Sequence, residues 1–395
     1  MTDTIYLDYA ATTPLHPKVR EAMQPFLEDR FGNPSASYAL ARQARQAVDD
    51  ARETIARLLG CHTNEVIFTG PGTESINAAI KGVAFAQQLA RVGNHIVTSA
   101  IEHHAVLFSC QYLEKFGFEV TYLPVDESGL VDPQEAARAI SERTVLVSVM
   151  TANNEIGVIQ PLTAIAQAVR EQARLLDRQI PFHTDAVQGA NALRLNVDDL
   201  GVDLLSLSSH KFYGPKGAGI LYLRRGTPYL SQQSGGGQER QRRAGTENVA
   251  AIVGTAVALE LALQNRDAYA ETCRRLRDRL LDGIAARFPE ARLNGSREHR
   301  LPNNVNVSFS GADSRILLRL LDQAGIAASA GSACDEDTNE PSHVLLALDV
   351  PLHQALGTLR FAVSASTTEA EIDRVLAVLP DIVEQASQPS PVAAG

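Results

Sequence analysis

The fold of this chain is first indicated by residues 204–223, which read LLSLSSHKFYGPKGAGILYL. Residues 204–207 have the apolar character of a short buried strand, and residues 220–223 have that of a second strand. The glycine and proline residues between them predict a turn. Lys211 therefore lies just beyond the end of a buried strand, among serine, histidine and glycine residues that suit a phosphate. The segment alone leaves a second interpretation open, in which Lys211 is a solvated lysine of a glycine-rich loop.

Outward from this segment, short β-rich runs alternate with helical patterns from about residue 65 to 225. This alternation is typical of an α/β protein with a mainly parallel sheet and helices on both faces. Ligands of such sheets bind at the carboxyl ends of the strands. The seven predicted strands are residues 66–69, 95–98, 120–123, 145–150, 181–185, 204–207 and 220–223.

Two domains are predicted from the same patterns. The large α/β domain, with its seven-stranded sheet, covers residues 16–262. Residues 1–15 and 263–387 are expected to form a smaller α+β domain, because an Arg- and Leu-rich helix pattern and further strands follow the long apolar stretch 249–263. The composition of residues 388–395 predicts a disordered tail.

Composition narrows the possible partners and the compartment. The net charge is -10 and no sustained basic run occurs, which argues against nucleic acid or an anionic membrane surface as the main partner. The N-terminus lacks the pattern of a signal peptide, and the stretch 249–263 is too short to span a bilayer and is interrupted by Glu260. We therefore expect a cytoplasmic protein. The cysteines form no CxxC pair, which fits a reducing compartment and predicts no resident metal site; they are Cys61, Cys110, Cys273 and Cys334.

Two strand ends carry residues that suit a charged cofactor. The segment 69–75, TGPGTES, is a small-residue turn before a helix, and the helix N-terminus can bind a phosphate. Thr73 is equally good as a plain helix N-cap. Asp185 closes another strand, and with Gln188 it can hold a protonated heterocyclic nitrogen and a neighbouring ring oxygen. Its alternative role is also that of an N-cap.

Two further strand ends carry polar side chains. His103 and His104 follow the strand at 95–98, where a histidine can stack on a planar ring and shuttle protons, although adjacent histidines can also be incidental. Asn153 and Asn154 follow the apolar run 145–150 and can bind ring substituents or a carboxylate, although Asn-Asn before Gly is also good turn chemistry. All these ends are expected to converge on one crevice.

Eight motifs in this order resemble those of the cysteine desulfurases, in particular the branch that feeds iron-sulfur cluster assembly and nitrogenase maturation. They are YLDYAATTP (6–14), FGNP (31–34), EHHAV (102–106), NNEIG (153–157), DAVQ (185–188), SSHKFYGPKG (208–217), RAGTE (243–247) and AGSAC (330–334). The resemblance extends from Tyr6 to about Leu379. It implies the aspartate aminotransferase-like fold of pyridoxal 5'-phosphate (PLP)-dependent transferases, within the class V aminotransferase family.

The resemblance also implies how the cofactor is bound. Lys211 would bind the PLP aldehyde, Asp185 would pair with the pyridinium nitrogen, and Gln188 would contact the ring oxygen. His104 would stack on the ring, and Asn154 would help to fix the cofactor or the substrate. The residues implied at the phosphate are Gly72, Thr73, Ser208 and His210, together with Thr246 from the other subunit of a homodimer.

Two residues are implied for the substrate. Arg360 matches the arginine that binds the substrate carboxylate, a role that suits its planar guanidinium group. Without the resemblance, a surface salt bridge is the simpler interpretation of Arg360. Cys334 would attack the substrate sulfur, after the freed Lys211 has removed the α-proton of L-cysteine. The products would be L-alanine and a Cys334 persulfide, with His104 moving a proton at the sulfur. The small residues 330–333 predict an uncrowded loop around Cys334, whereas Cys61, Cys110 and Cys273 are expected to be core or surface residues.

The expected function is thus sulfur transfer from L-cysteine to an iron-sulfur scaffold or another acceptor protein. A transient iron-sulfur contact at Cys334 is the only metal contact expected. The alternative enzyme is a cysteine or selenocysteine lyase of the same fold, which does not require Cys334. A non-catalytic assembly partner is disfavoured by the complete set of Lys211, Asp185, His104 and Cys334.

Three departures from the family pattern qualify the expected activity. Pro71 removes one amide donor from the turn before Thr73, and the residues after Arg360, FAVSASTT, lack a frequent Gly-Arg pair. Cys334 is followed by the acidic run 335–337, whose charge should raise the thiol pKa and give a weaker or more alkaline desulfurase. Alternatively, these acids point into water and are screened.

Overall fold

The computed structural model describes residues 4–331 and 341–387. The helices of this part are α1 (Pro17–Leu27), α2 (Ala39–Leu59), α3 (Gly72–Leu89), α4 (His104–Glu114), α5 (Pro133–Ala139), α6 (Leu162–Leu175), α7 (Val197–Leu200), α8 (Val249–Gln264), α9 (Arg266–Arg287), α10 (Ser314–Gln323), α11 (His343–Ala347), α12 (Leu352–Ala355) and α13 (Glu369–Ala386). The strands are β1 (Ile5–Tyr6), β2 (Val66–Thr69), β3 (His95–Ser99), β4 (Glu119–Leu123), β5 (Thr144–Ser148), β6 (Phe182–Asp185), β7 (Leu204–Ser208), β8 (Gly219–Leu223), β9 (Arg292–Leu293), β10 (Asn304–Ser308), β11 (Ile326–Ala327) and β12 (Thr358–Ala362). Cys334 and the predicted tail 388–395 lie outside these described residues.

The largest sheet has seven strands in the order β2-β8-β7-β6-β5-β3-β4. Neighbours from β7 to β4 pair in parallel, and β8 runs antiparallel to both β2 and β7. Each of the seven strands predicted from the sequence corresponds to one strand of this sheet. The expectation of a large, mainly parallel seven-stranded sheet is therefore confirmed.

Both faces of this sheet are covered by helices, which explains why its strands read as continuous apolar runs. Every residue of β3, β5, β6, β7 and β8 is buried. On one face, α3 and α4 contribute Ile80 and Val106 to a core with Ile67 and Leu204. The other face carries the larger core, to which α2, α6 and α8 contribute. The sheet is thus a rigid platform whose carboxyl edge presents the loops.

The C-terminal part of the chain builds a separate core. Strands β12, β10 and β9 form an antiparallel sheet, against which α9, α10 and α13 pack. The N-terminal strand β1 pairs in parallel with β11, and Asp8, which follows β1, forms a bridge to Ala362 of β12. The domain limits 16–262 and 263–387 stay a prediction. Among the described residues, the helices are all too short or too polar to traverse a bilayer.

Candidate active site

A cavity of about 270 Å³ opens at the carboxyl edge of the seven-stranded sheet. Its walls come from the ends of β2, β5, β6 and β7 and from the N-terminal segment. The lining residues are Ala10, Ala11, Pro71, Gly72, Thr73, Ile76, His103, Met150, Ala152, Asn154, Asp185, Val187, Gln188, Ser208, His210, Lys211 and Arg360. Nine of the residues expected at the cofactor or substrate are in this set: Gly72, Thr73, Asn154, Asp185, Gln188, Ser208, His210, Lys211 and Arg360.

One end of the cavity is the turn between β2 and α3. The N–H of Gly72 donates to Ser208 Oγ at 3.2 Å, so the first residue of α3 lies directly against the end of β7. A Cβ on Gly72 would approach Ser208 Cβ to 2.8 Å, which explains why glycine is needed at this position. Because the N-terminal turn of a helix carries unpaired N–H groups and a partial positive charge, this end suits a phosphate.

Asp185 lies at the end of β6 and is 5 % exposed. Burial raises the pKa of its carboxyl group to about 6, although the Val187 N–H, which donates to Oδ1 at 2.9 Å, and the nearby Lys211 oppose the shift. A buried carboxylate facing a cavity is well placed to pair with a cationic ring nitrogen.

Lys211 follows β7 and reaches the N-terminal segment across the cavity. Its Nζ donates to the carbonyl oxygens of Ala10 at 2.7 Å and Ala11 at 2.6 Å. Gln188 Nε2 donates to the same Ala10 oxygen at 3.0 Å. The N-terminal segment also binds the lysine loop directly, because Thr13 Oγ1 donates to the carbonyl oxygen of His210 at 2.8 Å. The amine is therefore held at a defined place in the wall.

The histidine that lines the cavity is His103, whereas His104, which the resemblance implied at the cofactor ring, is not among the lining residues. His103 is the N-cap of α4, and its Nδ1 accepts from the Ala105 N–H at 3.0 Å. His104 is the first helical residue, and its ring stacks on Phe108, with the centroids 4.7 Å apart. Burial, with help from the charge of Lys211, lowers the pKa of His103 to about 4. Its ring is therefore neutral at pH 7.

Glu102 lies behind His103 and is fully buried. Its Oε1 accepts from Ser99 Oγ at 2.7 Å and from the Met150 N–H at 2.8 Å, whereas Oε2 has no partner among the described residues. Burial raises the pKa of this carboxyl group to about 8, and the charge of Asp185 raises it further. Glu102 is therefore mostly protonated at neutral pH.

The wall opposite the large sheet is formed by Arg360 of β12. Its Nη1 donates to the carbonyl oxygen of Asn154 at 3.0 Å, and its Nη2 donates to Asp8 Oδ1 at 2.7 Å. Arg360 is 1 % exposed, and its Nε has no hydrogen-bond partner among the described residues. The structure thus places the guanidinium group of Arg360 next to the cavity, where its hydrogen bonds to Asn154 and Asp8 fix its orientation.

Besides His104, one more of the expected residues, Thr246, does not line this cavity. Thr246 is exposed and lies in a separate surface depression with Arg243 and Gly245. Because the structure contains a single chain, the contact of Thr246 with the cofactor phosphate of a partner subunit stays a prediction. Cys334 lies outside the described residues, which stop at Gly331 and resume at Pro341.

The other three cysteines have no feature of a reactive thiol. Cys110 and Cys273 are buried and Cys61 is half-buried. Burial raises the pKa of Cys61 and Cys273 to about 12 and raises that of Cys110 as well. Each thiol is thus protonated at pH 7. Within residues 4–331 and 341–387, no cluster of three or more His, Cys, Asp or Glu side chains could hold a metal ion.

Sequence reasoning gave no role to Asp8 or Glu102, and it chose His104 rather than His103 for the cofactor ring. Asp8 lies inside the motif YLDYAATTP, and Glu102 and His103 lie inside EHHAV. Only the observed start of α4 distinguishes His103, which is its N-cap, from His104, which is its first residue.

The residues around the cavity fit PLP by their own chemistry. The cradle between Gly72 and Ser208 has no room for an added Cβ and suits a phosphate. Asp185 supplies a buried anion for the ring nitrogen, and Lys211 supplies an amine for the aldehyde. These three groups line a single cavity, as binding of one cofactor molecule requires.

Comparison with known proteins identifies the family of this chain. Residues 5–375 match the family model for class V aminotransferases. The chain is 49 % identical over 391 residues to the cysteine desulfurase IscS of Dictyoglomus turgidum, a match that covers 99 % of this chain and 97 % of the relative. It is 48 % identical to the cysteine desulfurase IscS of Methanosarcina thermophila over 388 residues, which are 98 % of this chain and 94 % of that one.

Solved structures show the same relationship. A NifS-like protein superimposes with a TM-score of 0.90 at 36 % identity, covering 97 % of this chain and all of the other. A structure described as SspA in complex with cysteine superimposes with a TM-score of 0.79 at 37 % identity, covering 92 % of this chain and all of the other. The PLP-dependent transferase fold expected from the sequence is confirmed by these likenesses. The chain therefore belongs to the class V aminotransferases and, within that family, to the cysteine desulfurases.

Proposed function

We propose that this protein is a PLP-dependent cysteine desulfurase that converts L-cysteine to L-alanine and leaves a persulfide on Cys334. The observation that carries the proposal is the single cavity in which Lys211, Asp185 and the N-terminus of α3 surround one space, with Arg360 in the wall. This set provides an amine, a buried anion, an anion-binding helix end and a carboxylate-binding cation.

In this proposal, Gly72, Thr73, Ser208 and His210 hold the PLP phosphate, and Asp185 pairs with the ring nitrogen. Gln188 lies next to the ring oxygen, and His103 rather than His104 covers the ring face. When bound, PLP withdraws electrons from the substrate α-carbon, so that a weakly acidic C–H proton can leave.

The other steps belong to the side chains. Lys211 Nζ holds the cofactor aldehyde and moves the α-proton of the substrate. Arg360 binds the substrate carboxylate through its planar fork, oriented by Asp8 and by the carbonyl oxygen of Asn154. Met150 and Ala152 line the cavity and limit the access of water to the reacting atoms.

The sulfur step requires a thiolate from outside the cavity walls described above. In the proposed step the Cβ–S bond of L-cysteine breaks and an S–S bond forms to Sγ of Cys334. L-cysteine and one thiol thereby become L-alanine and one persulfide, with no external oxidant. The other three thiols are unsuited to this step, because burial holds their pKa values far above neutrality.

The persulfide is proposed to pass to a sulfur-acceptor protein such as an iron-sulfur scaffold, in the cytoplasm. A homodimer would complete the cofactor site, with Thr246 of each chain reaching the phosphate of the other. The exposed apolar side chains Leu27, Phe31 and Tyr38 are available to bury in such an interface. The alternative, a cysteine or selenocysteine lyase, is not favoured, because the most similar relatives named above are cysteine desulfurases.

A Cys334→Ala variant separates these two enzymes. The desulfurase is expected to lose sulfide release in the presence of a reductant while keeping the visible absorption band of bound PLP. A lyase would keep its turnover of L-cysteine in this variant. A protein that shows no visible band after incubation with PLP would contradict the proposal as a whole.

A further inference from the structure

The segment 233–248, called the arm below, carries Thr246 near its end and has an unusual backbone. Three consecutive residues other than glycine, Glu239, Arg240 and Gln241, have positive φ angles of 47°, 57° and 64°. Each such residue costs about 1–3 kcal/mol and persists only where surrounding contacts hold it. The arm must therefore be fixed by strong interactions near Glu239.

Those interactions come from a buried ion pair. Arg52 of α2 donates from Nη2 to Glu239 Oε1 at 2.7 Å and from Nη1 to Oε2 at 2.8 Å. Oε2 also accepts from the Phe68 N–H at 3.0 Å, and Arg52 donates to the Val66 carbonyl oxygen at 2.7 Å. The side chains of the pair are only 5 % and 2 % exposed. A bidentate pair with its remaining groups satisfied is a strong and geometrically specific contact.

A second ion pair connects the arm to the phosphate turn of the same chain. Arg243 Nε donates to Glu74 Oε1 at 2.8 Å, and Glu74 Oε2 accepts from the Gly70 N–H at 2.9 Å. Glu74 directly follows Thr73 of the proposed phosphate site. The arm is thus tied to both ends of the segment that runs from β2 into α3.

Beyond these ties, the arm turns outward. Gly245 has a φ of 106° and is exposed, as is Thr246. Thr246 does not line the cavity of its own chain, whereas Thr73 and Ser208 do. An exposed threonine on a strained and firmly anchored arm is suited to reach a site on another molecule.

We propose that the Arg52–Glu239 ion pair is a positioning device that holds the arm so that Thr246 meets the cofactor phosphate of the partner subunit. This inference rests on the proposed function, because it requires both PLP and a homodimer. Neither Arg52 nor Glu239 touches the cofactor in this proposal. In this proposal their effect on cofactor affinity passes through Thr246, and the double mutant below distinguishes it from an effect through their contacts with Val66 and Phe68 of β2.

The test measures the dissociation constant of PLP, by absorbance titration of cofactor-depleted protein, alongside the dimer fraction from sedimentation velocity. Glu239→Gln removes the charge and keeps the size of the side chain. We expect PLP affinity to fall about tenfold, as for the loss of one charge-assisted hydrogen bond, while the protein stays dimeric. The matched control is Arg57→Gln on the same helix, because the Arg57–Glu260 pair is largely exposed and should leave the affinity unchanged.

A double mutant separates positioning from a general loss of stability. If Glu239 acts through Thr246, the variant Glu239→Gln/Thr246→Ala should bind PLP no more weakly than Thr246→Ala alone. If the losses of PLP affinity from the two substitutions add in the double mutant, the inference is overturned. It is also overturned if the Glu239→Gln variant unfolds at a lower temperature but binds PLP as tightly as the unmodified protein. Should Glu239→Gln fail to fold, Arg52→Lys keeps the charge without the bidentate fork, and its PLP affinity must fall for the inference to stand.

The outcome for the unmodified protein keeps the two proposals apart. If it binds no PLP, the proposed function fails. If it binds PLP and both Glu239→Gln and Arg52→Lys bind equally well, the function stands and the positioning role is wrong.

Discussion

Replacing Asp185 by asparagine should weaken PLP binding without disturbing the fold. Asparagine keeps the volume and the Oδ1 acceptor, to which the Val187 N–H donates at 2.9 Å, and it removes only the charge. A charge-assisted hydrogen bond contributes about 1.5–3 kcal/mol, so the loss of the pairing with the ring nitrogen should reduce affinity about 10- to 150-fold.

The buried setting of Asp185 adds a dependence on pH. Since burial raises its pKa to about 6, the carboxyl group of the cofactor-free protein gains a proton as the pH falls through that value. PLP affinity of the unmodified protein should therefore fall from pH 7 to pH 5 more steeply than that of Asp185→Asn. Titrations of cofactor-depleted protein at several pH values, followed by visible absorbance, measure both effects.

Asp203→Asn is the matched control for this prediction. Asp203 is a half-buried aspartate next to β6 and β7, its pKa is also raised by burial, and it accepts a hydrogen bond from the Phe182 N–H at 3.0 Å. It does not line the cavity. An Asp185→Asn variant that binds PLP as tightly as Asp203→Asn at every pH would refute the assignment of Asp185 to the ring nitrogen.

Three other predictions test separate parts of the site. His103→Gln should change the absorption spectrum of bound PLP, because it removes an aromatic ring from the cavity wall. His104→Gln should leave that spectrum unchanged. The reverse result would favour His104 as the residue that stacks on the cofactor ring. Asp8→Asn should raise KM for L-cysteine about tenfold by releasing Arg360, and an equal loss with cysteamine, which lacks the carboxylate, would contradict that cause. Glu102 has a folded-state pKa of about 8, above its unfolded value, so its stabilising contribution is complete at acidic pH and is lost as the pH rises toward 8. Thermal unfolding of Glu102→Gln should therefore depend less on pH between 5 and 8 than that of the unmodified protein, and parallel curves would exclude a protonated Glu102.

Local patterns in the sequence were sufficient to predict the strands of the large sheet. A parallel strand that is buried on both faces is mostly apolar, so runs such as residues 145–150 stand out between helices. The convergence of Asp185, Ser208 and Lys211 followed as well, because the carboxyl ends of parallel strands share one edge.

Side-chain direction was harder to infer than element position. His103 and His104 differ by one residue, yet one caps α4 and faces the cavity whereas the other is the first residue of the helix and packs on Phe108. An error of one residue in a helix boundary changes the direction of a side chain completely. The boundary was not visible in the sequence, because His103 is not among the usual N-cap residues.

Contacts between distant segments could not be inferred from local patterns at all. Asp8 meets Arg360 across 352 positions, and Arg52 meets Glu239 across 187. No periodicity relates such pairs, and only the tertiary fold brings their charges together. The positive φ angles at Glu239 and its neighbours were equally hidden, since their residue types do not indicate a left-handed backbone.

The sulfur step is tested most directly by incubating the PLP-loaded protein with L-cysteine, followed by amino-acid analysis and mass spectrometry of the protein. We expect one L-alanine for each sulfur transferred and a mass increase of one sulfur atom on the peptide that contains Cys334. L-alanine formed with free sulfide and an unmodified Cys334, with the Cys334→Ala variant fully active, would contradict a persulfide-forming desulfurase.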